Sequence, residues 1–185
     1  MKLKSLFLVT IFVFGFLLAN AQVVVKGEKL VNLGIGFGTA LYSGGGYKGS
    51  VPPISGSLEV IIKDGIFDGN GAVGLGGYLG YAAYKWNYSM YDYGWKYSNI
   101  IIGPRAYVHY NLMENLDTYA GAMLGYNIVS SKWTGSGSSI GNASSGGAIF
   151  SGFLGARYFF NEKLAAMAEI GSGIAYLNLG IALKL

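Results

Sequence analysis

His109 is the only histidine in this chain of 185 residues, and it is the first candidate for acid–base chemistry. A hydrolase would need such an imidazole within hydrogen-bond reach of a nucleophile and an orienting carboxylate. The alternating pattern around His109 predicts an inward-facing side chain, at the end of its strand that is remote from the long loops. We therefore expect a hydrogen-bonded structural histidine and no catalytic residue. Because the chain has no cysteine and a single histidine, it lacks a cluster of zinc ligands, and we expect no metal and no cofactor.

Seven charged residues occupy inward positions of the predicted strands, with nearly balanced sign: Glu59, Asp117 and Glu169 against Lys63, Arg105, Arg157 and Lys184. A buried charge is costly unless it is paired and hydrogen-bonded, so this pattern predicts ion pairs inside the fold. We expect Arg157 to pair with Glu169, and Glu59 with Arg105. Such pairs could form a gate or proton path, but a polar core that fixes the strand register is the favoured interpretation.

Residues 85–96 form a second cluster of chemically informative side chains. Five aromatic residues fall in this predicted loop: Trp86, Tyr88, Tyr91, Tyr93 and Trp95. Tyrosine and tryptophan supply large amphipathic contact area in recognition, so the loop is a candidate binding surface for an extracellular protein or glycan. The alternative is a hairpin that extends two strands, with its aromatic residues packed across the strand pair.

The elements that would position these residues are strands, because apolar residues recur at every second position along most of the chain. In the last segment, Leu177, Leu179 and Ile181 fall on one face, and Asn178 and Gly180 on the other. The pattern predicts eight strands, at 28–41, 54–63, 72–84, 97–110, 117–128, 149–160, 164–171 and 175–185. Pro104 interrupts the fourth strand, where we expect a bulge or a missing hydrogen bond.

Short and long connections alternate between these strands, as expected for an antiparallel up-and-down barrel in an outer membrane. With 31 glycines and only 12% charged residues, the chain is poorly suited to a soluble surface. Backbone groups facing lipid must pair within the sheet, and closure removes unpaired edges. We therefore predict an all-β, eight-stranded transmembrane β-barrel whose apolar face meets lipid. The alternative is a soluble ligand-carrying barrel with its apolar face inward.

The first residues resemble a secretory signal peptide, with Lys2 and Lys4 preceding an apolar run and an A-x-A-like site at 19–21. We expect cleavage after Ala21 and a barrel domain at 22–185, inserted into the bacterial outer membrane by the barrel assembly machinery. Without those two lysines, the 13 basic residues fall to 11 against 9 acidic ones. This near balance gives no support for nucleic acid binding.

Four segments, at 103–109, 155–160, 168–171 and 177–185, resemble the small outer membrane β-barrel domain family common in Bacteroidetes, and more distantly the OmpA and OmpX barrels. The resemblance implies an eight-stranded barrel and supplies no catalytic residue. One departure is Leu185, where such barrels usually end in an aromatic residue.

These observations predict a non-enzymatic outer membrane barrel that is structural or presents surface loops, with its lumen packed by side chains. A narrow pore for small solutes is the first alternative. An outer-membrane enzyme that modifies lipid is the second.

Overall fold

The computed structural model describes residues 23–39, 41, 47–87, 93–135 and 141–185. They form a closed barrel of eight antiparallel strands, each paired with its sequence neighbours, with the last strand pairing with the first. The strands are β1 (Lys29–Phe37), β2 (Tyr47–Ile66), β3 (Gly71–Asn87), β4 (Tyr93–Met113), β5 (Leu116–Gly135), β6 (Ala143–Phe159), β7 (Leu164–Gly171) and β8 (Leu177–Lys184). The predicted fold class is confirmed. The predicted signal peptide lies outside the described residues.

The two ends of the barrel differ. At the turn end, β2 leads to β3, β4 to β5 and β6 to β7 through connections 67–70, 114–115 and 160–163, and β1 begins and β8 ends there. At the loop end, β2 to β6 continue beyond β1, β7 and β8. β1 accompanies β2 only to Ile54, and β7 accompanies β6 only to Phe153. The continuation forms a partial wall of five strands. No helix among the described residues is long and apolar enough to cross a membrane.

This wall corrects the predicted strand ends. The sequence pattern placed loops at 42–53 and 129–145, yet β2 begins at Tyr47 and β5 continues to Gly135. These segments contain proline, serine and glycine, which weaken the alternation of apolar residues. Cross-strand pairing nevertheless satisfies their backbone groups, as with Ser130 opposite Ser144.

The outer face of the barrel is apolar. Large hydrophobic side chains are exposed on every strand, and Leu124 and Phe150 reach 65% and 73% exposure. Water would penalise a continuous apolar surface of this kind, whereas lipid would not. Since every strand also has a hydrogen-bonded neighbour on both sides, the barrel is of the transmembrane type.

The lumen is filled by two apolar clusters with a charged layer between them. The inward face of β6 shows the order: Phe153 belongs to the cluster nearer the loop end, Arg157 to the charged layer, and Phe159 to the cluster at the turn end. Ile174, in the β7–β8 connection, is fully buried in the first cluster. Val24, which precedes β1, is fully buried in the second. Chain segments outside the strands therefore help to close the lumen at both ends.

The strand ladders are irregular at a few positions. Pro104 pairs with Gly77 of β3, and pairing with β5 stops at Ile102 and resumes at Arg105 in the same register. The ladder is thus interrupted without a bulge. Register shifts occur elsewhere, in β4 against β5 between Asn111 and Met113, and in β2 against β3, including one between Ile61 and Lys63. As a result Lys63 is exposed rather than inward as its alternation suggested, while Ile61 is buried.

Candidate functional site

A closed ring of four charged side chains occupies the middle of the lumen. The Arg157 guanidinium donates from Nη1 to Asp117 Oδ2 at 2.8 Å and from Nη2 to Glu59 Oε2 at 2.7 Å. His109 connects the same two carboxylates from the other side. Its Nδ1 lies 2.8 Å from Asp117 Oδ1, and its Nε2 lies 2.6 Å from Glu59 Oε1. Each carboxylate therefore uses one oxygen for the arginine and the other for the histidine.

Neighbouring groups hold this ring of charges in place. Arg157 Nε donates to Asn32 Oδ1 at 2.9 Å, and Asn32 Nδ2 donates to Ser57 Oγ at 2.8 Å. The Arg157 guanidinium carbon lies 4.2 Å from the centre of the Tyr119 ring.

An ionised carboxylate only accepts hydrogen bonds, so with both carboxylates ionised both nitrogens of His109 must donate. The ring then holds two positive and two negative groups and is neutral as a unit.

A second buried ion pair lies nearer the loop end. Arg105 Nη1 is 3.1 Å from Glu169 Oε1 and 3.0 Å from Oε2, and Tyr119 donates from its hydroxyl to Glu169 Oε2 at 3.2 Å. The guanidinium carbon of Arg105 lies 4.0 Å from the ring centre of Tyr78 and 4.1 Å from that of Phe153. Tyr119 thus contacts both charged groups and connects them.

The four residues of the predicted pairs are all buried in the lumen, but the two predicted pairings are wrong. Arg157 pairs with Glu59 rather than Glu169, and Arg105 pairs with Glu169 rather than Glu59. Glu59 and Arg105 do share a ladder row through Gly76 of β3. Because barrel strands tilt, such rows wind obliquely around the axis, and residues of one row lie at different heights.

Sequence reasoning expected a hydrogen-bonded His109 but did not name its partners, and it missed the contribution of Asp117 and Asn32 to this network. It placed Asp117 at an inward position without a partner, although Asp117 is directly opposite Arg157 in the β5–β6 register. The short connection predicted at 161–163 makes the seventh strand a neighbour of the sixth, and the predicted pairing of Arg157 with Glu169 follows from that adjacency. The register of β5 against β6 would have identified the pair of Arg157 and Asp117. That register depends on the length of the loop-end connection between the two strands, which the alternation of apolar residues does not determine.

Two inward glycines make room for the charged layer. A Cβ atom at Gly74 would overlap the carboxylate of Glu59, and one at Gly155 would overlap the ring of Tyr119. Both glycines lie within strands, where a missing side chain weakens local packing. Glycine occupies these two positions because any larger residue would overlap Glu59 or Tyr119.

The geometry of the lumen does not suit catalysis at His109. Its side chain is fully buried, and both ring nitrogens contact carboxylates. A catalytic base must reach the proton that it removes. Among the described residues, no group of three or more histidine or acidic side chains could hold a metal ion. The network is suited to fixing strand register and blocking the lumen.

The second candidate site is the inner side of the five-stranded wall. Trp86 is opposite Trp95, as the alternative interpretation of a strand-extending hairpin predicted. The row continues on both sides, with Tyr47 opposite Trp86 and Trp133 opposite Trp95. The indoles of Trp95 and Trp133 meet edge to face, with ring centroids 5.3 Å apart. We call these four side chains the aromatic row.

The aromatic row shares a face with lumenal residues. Trp86 is two positions beyond Tyr84 on β3, and Tyr84 is buried in the apolar cluster nearer the loop end. Successive side chains alternate between the faces of a strand, so the two lie on the same side. Tyr97 is two positions beyond Trp95 toward the barrel, and its ring centroid lies 5.9 Å from that of Tyr47 in the row. The wall therefore presents aromatic side chains on its concave side.

Of the five aromatic residues predicted to form a binding surface, Trp86 and Trp95 belong to the aromatic row. Tyr93 begins β4. Tyr88 and Tyr91 lie outside the described residues. The prediction missed Tyr47 and Trp133, because it assigned both positions to loops on other strands.

Comparisons with known proteins give no family for this chain. No family model matches the chain, and no curated protein matches it. The chain is similar to the N-terminal β-barrel domain of Pseudomonas aeruginosa OprF, with 12% identity, 87% of this chain and 98% of that chain covered, and a TM-score of 0.49. It is also similar to the attachment invasion locus protein Ail of Yersinia pestis in complex with the heparin analogue sucrose octasulfate, with 14% identity, 86% and 96% covered, and a TM-score of 0.49.

A third similar structure is Yersinia pestis Ail in a phospholipid bilayer nanodisc, with 18% identity, 86% of this chain and 100% of that chain covered, and a TM-score of 0.36. These are structures of outer membrane barrels. Membership of the Bacteroidetes family stays a prediction.

Proposed function

We propose that this chain is a non-enzymatic outer membrane protein whose sealed barrel supports a recognition surface for an extracellular glycan. The observation that carries the proposal is the aromatic row on the concave side of a wall that continues beyond the lipid-facing part of the barrel. Aromatic rings in a fixed row offer contact area that loses little conformational entropy on binding. An extracellular protein ligand is the other outcome that the experiment below distinguishes.

The proposed location follows from the outer face and the two ends. An apolar face on all eight strands requires lipid. Outer membrane barrels have short periplasmic turns and longer extracellular loops. The turn end therefore faces the periplasm, and the wall faces the outside. Export by a signal peptide at 1–21 and insertion by the barrel assembly machinery complete the proposal.

The filled lumen argues against the narrow pore. Arg157, Glu59, Asp117 and His109 are fully buried side chains that contact one another across the lumen. Apolar clusters lie on both sides of them. The chain in planar bilayers should therefore give no stepwise conductance, and regular unitary currents would favour the pore.

The burial of His109 argues against an enzyme that modifies lipid. Its ring is held between Glu59 and Asp117 and is fully inaccessible. Mass profiles of lipid A from cells with and without the protein should be the same. A consistent change in acyl chains or phosphate groups would favour the enzyme.

Binding is tested with folded chain in fluorescent nanodiscs applied to a glycan array and to an array of extracellular matrix proteins. The test variant replaces Trp86 and Trp95 by serine. The matched control replaces Tyr110 and Tyr158 by serine as well. These are two half-exposed aromatic residues of the lipid-facing surface. The proposal predicts glycan signals that the test variant loses and the control keeps. Signals on protein spots alone would favour the protein ligand, and signals equal in both variants would contradict the recognition surface.

A further inference from the structure

Four lysines form one continuous cross-strand row on the outer side of the wall. Lys48 of β2 is opposite Lys85 of β3, Lys85 is opposite Lys96 of β4, and Lys96 is opposite Lys132 of β5. Residues directly opposite each other share a face, with neighbouring strands about 5 Å apart. Lys85 follows Tyr81 by four positions on β3, so the row lies on the lipid-facing side. We call it the lysine row.

The lysine row has no acidic partners in the described part of the chain. The ion pairs found there involve Arg105, Arg157, His109 and Lys184, and none of the four lysines. The segments that build the loop end, 38–53, 82–101 and 126–152, contain a single acidic residue, Asp92, which lies outside the described residues. Like charges directly opposite on neighbouring strands are destabilising. An uncompensated row of this kind indicates an anion supplied from outside the chain.

The lysine row lies beyond the apolar band of the outer surface, toward the loop end. The last fully apolar outward row pairs Ile54 with Tyr81, Tyr81 with Ile100, and Ile100 with Ile128. A row containing Ala83 and Ser98 follows it. At about 3.4 Å per residue, the lysines lie about 14 Å along the strand from the apolar row. Lysine side chains extend their charged ends to the polar boundary of a membrane.

Below the lysine row, the same surface has an apolar depression of about 1140 Å³. Its lining comes from β8, β1, β2, β3 and β4. Gly56 and Gly77 leave the space, and its walls include Leu33, Leu58, Leu79, Ile102 and Leu179. A Cβ atom at Gly77 would meet no atom within 4 Å. The depression begins at the level of Tyr81 and continues toward the middle of the strands, in the direction that an acyl chain takes from a headgroup.

We propose that the outer surface of the barrel around β2 to β4 binds a phosphorylated lipid of the outer leaflet, with phosphate on the lysine row of β2 to β5 and an acyl chain in the depression, which also extends across β1 and β8. The positive row attracts an anionic headgroup, and the depression places apolar surface against the chain below it. This site is on the opposite face of the wall from the aromatic row. It rests on the proposed membrane placement but not on the glycan ligand.

The experiment measures binding of bisphosphorylated lipid A to the folded chain in dodecyl maltoside by native mass spectrometry. One variant replaces Lys48, Lys85, Lys96 and Lys132 by glutamine. Its control replaces four exposed lysines of the turn end, Lys26, Lys29, Lys63 and Lys163, and so changes the net charge equally. A second pair compares Gly77→Leu with Gly152→Leu, since Gly152 also faces open space but lies outside the depression.

The lysine-row variant should bind lipid A about tenfold or more weakly, and the turn-end control should change less than about twofold. Gly77→Leu should weaken binding, and Gly152→Leu should not. Phosphatidylethanolamine should bind poorly, and free pyrophosphate at equal concentration should not displace lipid A.

An equal loss of lipid A binding in both lysine variants, or no loss in either, overturns the headgroup site. Equal effects at Gly77 and Gly152 overturn the acyl site, and full competition by pyrophosphate identifies a simple anion site instead.

Failure of this inference is distinguishable from failure of the proposed function. A chain that is folded and monodisperse without detergent would contradict the membrane placement itself. A chain that requires detergent but binds lipid A equally in all variants would contradict the lipid site alone.

Discussion

Arg157 and Asp117 face each other directly across β5 and β6, and Arg157 Nη1 lies 2.8 Å from Asp117 Oδ2. This cross-strand pair anchors a charged ring that also includes Glu59 and His109. The four residues come from β2, β4, β5 and β6, so the ring joins strands that are not all neighbours. It can form only when several strand registers are correct at once.

Replacing Arg157 by leucine should strongly destabilise the barrel. The change leaves Glu59 and Asp117 with His109 as their remaining cationic partner, and breaking a buried pair on one side costs about 3–5 kcal/mol. Urea-dependent unfolding in detergent, followed by tryptophan fluorescence, measures the loss. Lys163→Leu, at an exposed turn-end lysine, is the control and should change the free energy by less than about 0.5 kcal/mol. An unchanged midpoint for the Arg157 variant would show that the ring has no structural role.

Replacing His109 by phenylalanine should also destabilise the fold, by about 1–3 kcal/mol, because both carboxylates lose a buried donor. Adding Glu59→Gln removes one of the two negative charges and should recover part of that loss. The free energies of unfolding of the single and double variants, compared as a double-mutant cycle, give the coupling. Additive effects would contradict the direct contacts of His109 Nε2 with Glu59.

Adding a single methyl group to a glycine of the charged layer should lower the stability of the barrel. Gly155→Ala places a Cβ against the ring of Tyr119, and overpacking typically costs about 1–3 kcal/mol. Gly152 lies three positions away on β6, and a Cβ there meets nothing within 4 Å. Gly152→Ala should therefore have little effect. Equal unfolding midpoints for the two variants would indicate that the lumen is not tightly packed.

A charge reversal in the lysine row should stabilise the chain in neutral detergent. Lys85→Glu places a carboxylate opposite both Lys48 and Lys96, and each opposite-charge pair contributes about 0.2–1 kcal/mol. The unfolding midpoint should rise in dodecyl maltoside and the gain should disappear when anionic lipid is added. A lower midpoint in neutral detergent would mean that the four lysines do not repel one another.

The fold could be predicted from sequence because lipid imposes a strict alternation on every strand. The predicted range of the seventh strand coincides with Leu164–Gly171. The number of strands and the inward position of Glu59, Arg105, Arg157 and Glu169 follow from the same period of two. Alternation says which face a side chain occupies, and this was sufficient for the barrel.

Alternation does not determine which inward residues contact one another, so it could not predict how the charged residues pair. Partners across a lumen depend on strand tilt and register, which vary with the lengths of the loops and with bulges. The bulge between Ile61 and Lys63 illustrates the problem, because it exposes a lysine that alternation placed inside. The aromatic row was missed in part for a related reason. Trp133 lies in a Ser/Gly-rich stretch whose strand character comes from its neighbours.

The central claim is that the apolar face of all eight strands contacts lipid while charged and aromatic side chains fill the lumen. Its most direct test is sedimentation of the refolded chain with and without detergent, with folding followed by the heat-dependent shift in gel mobility. We predict a folded monomer in detergent or lipid and aggregation when the amphiphile is removed. A compact, monodisperse monomer that remains folded in plain buffer would contradict the claim.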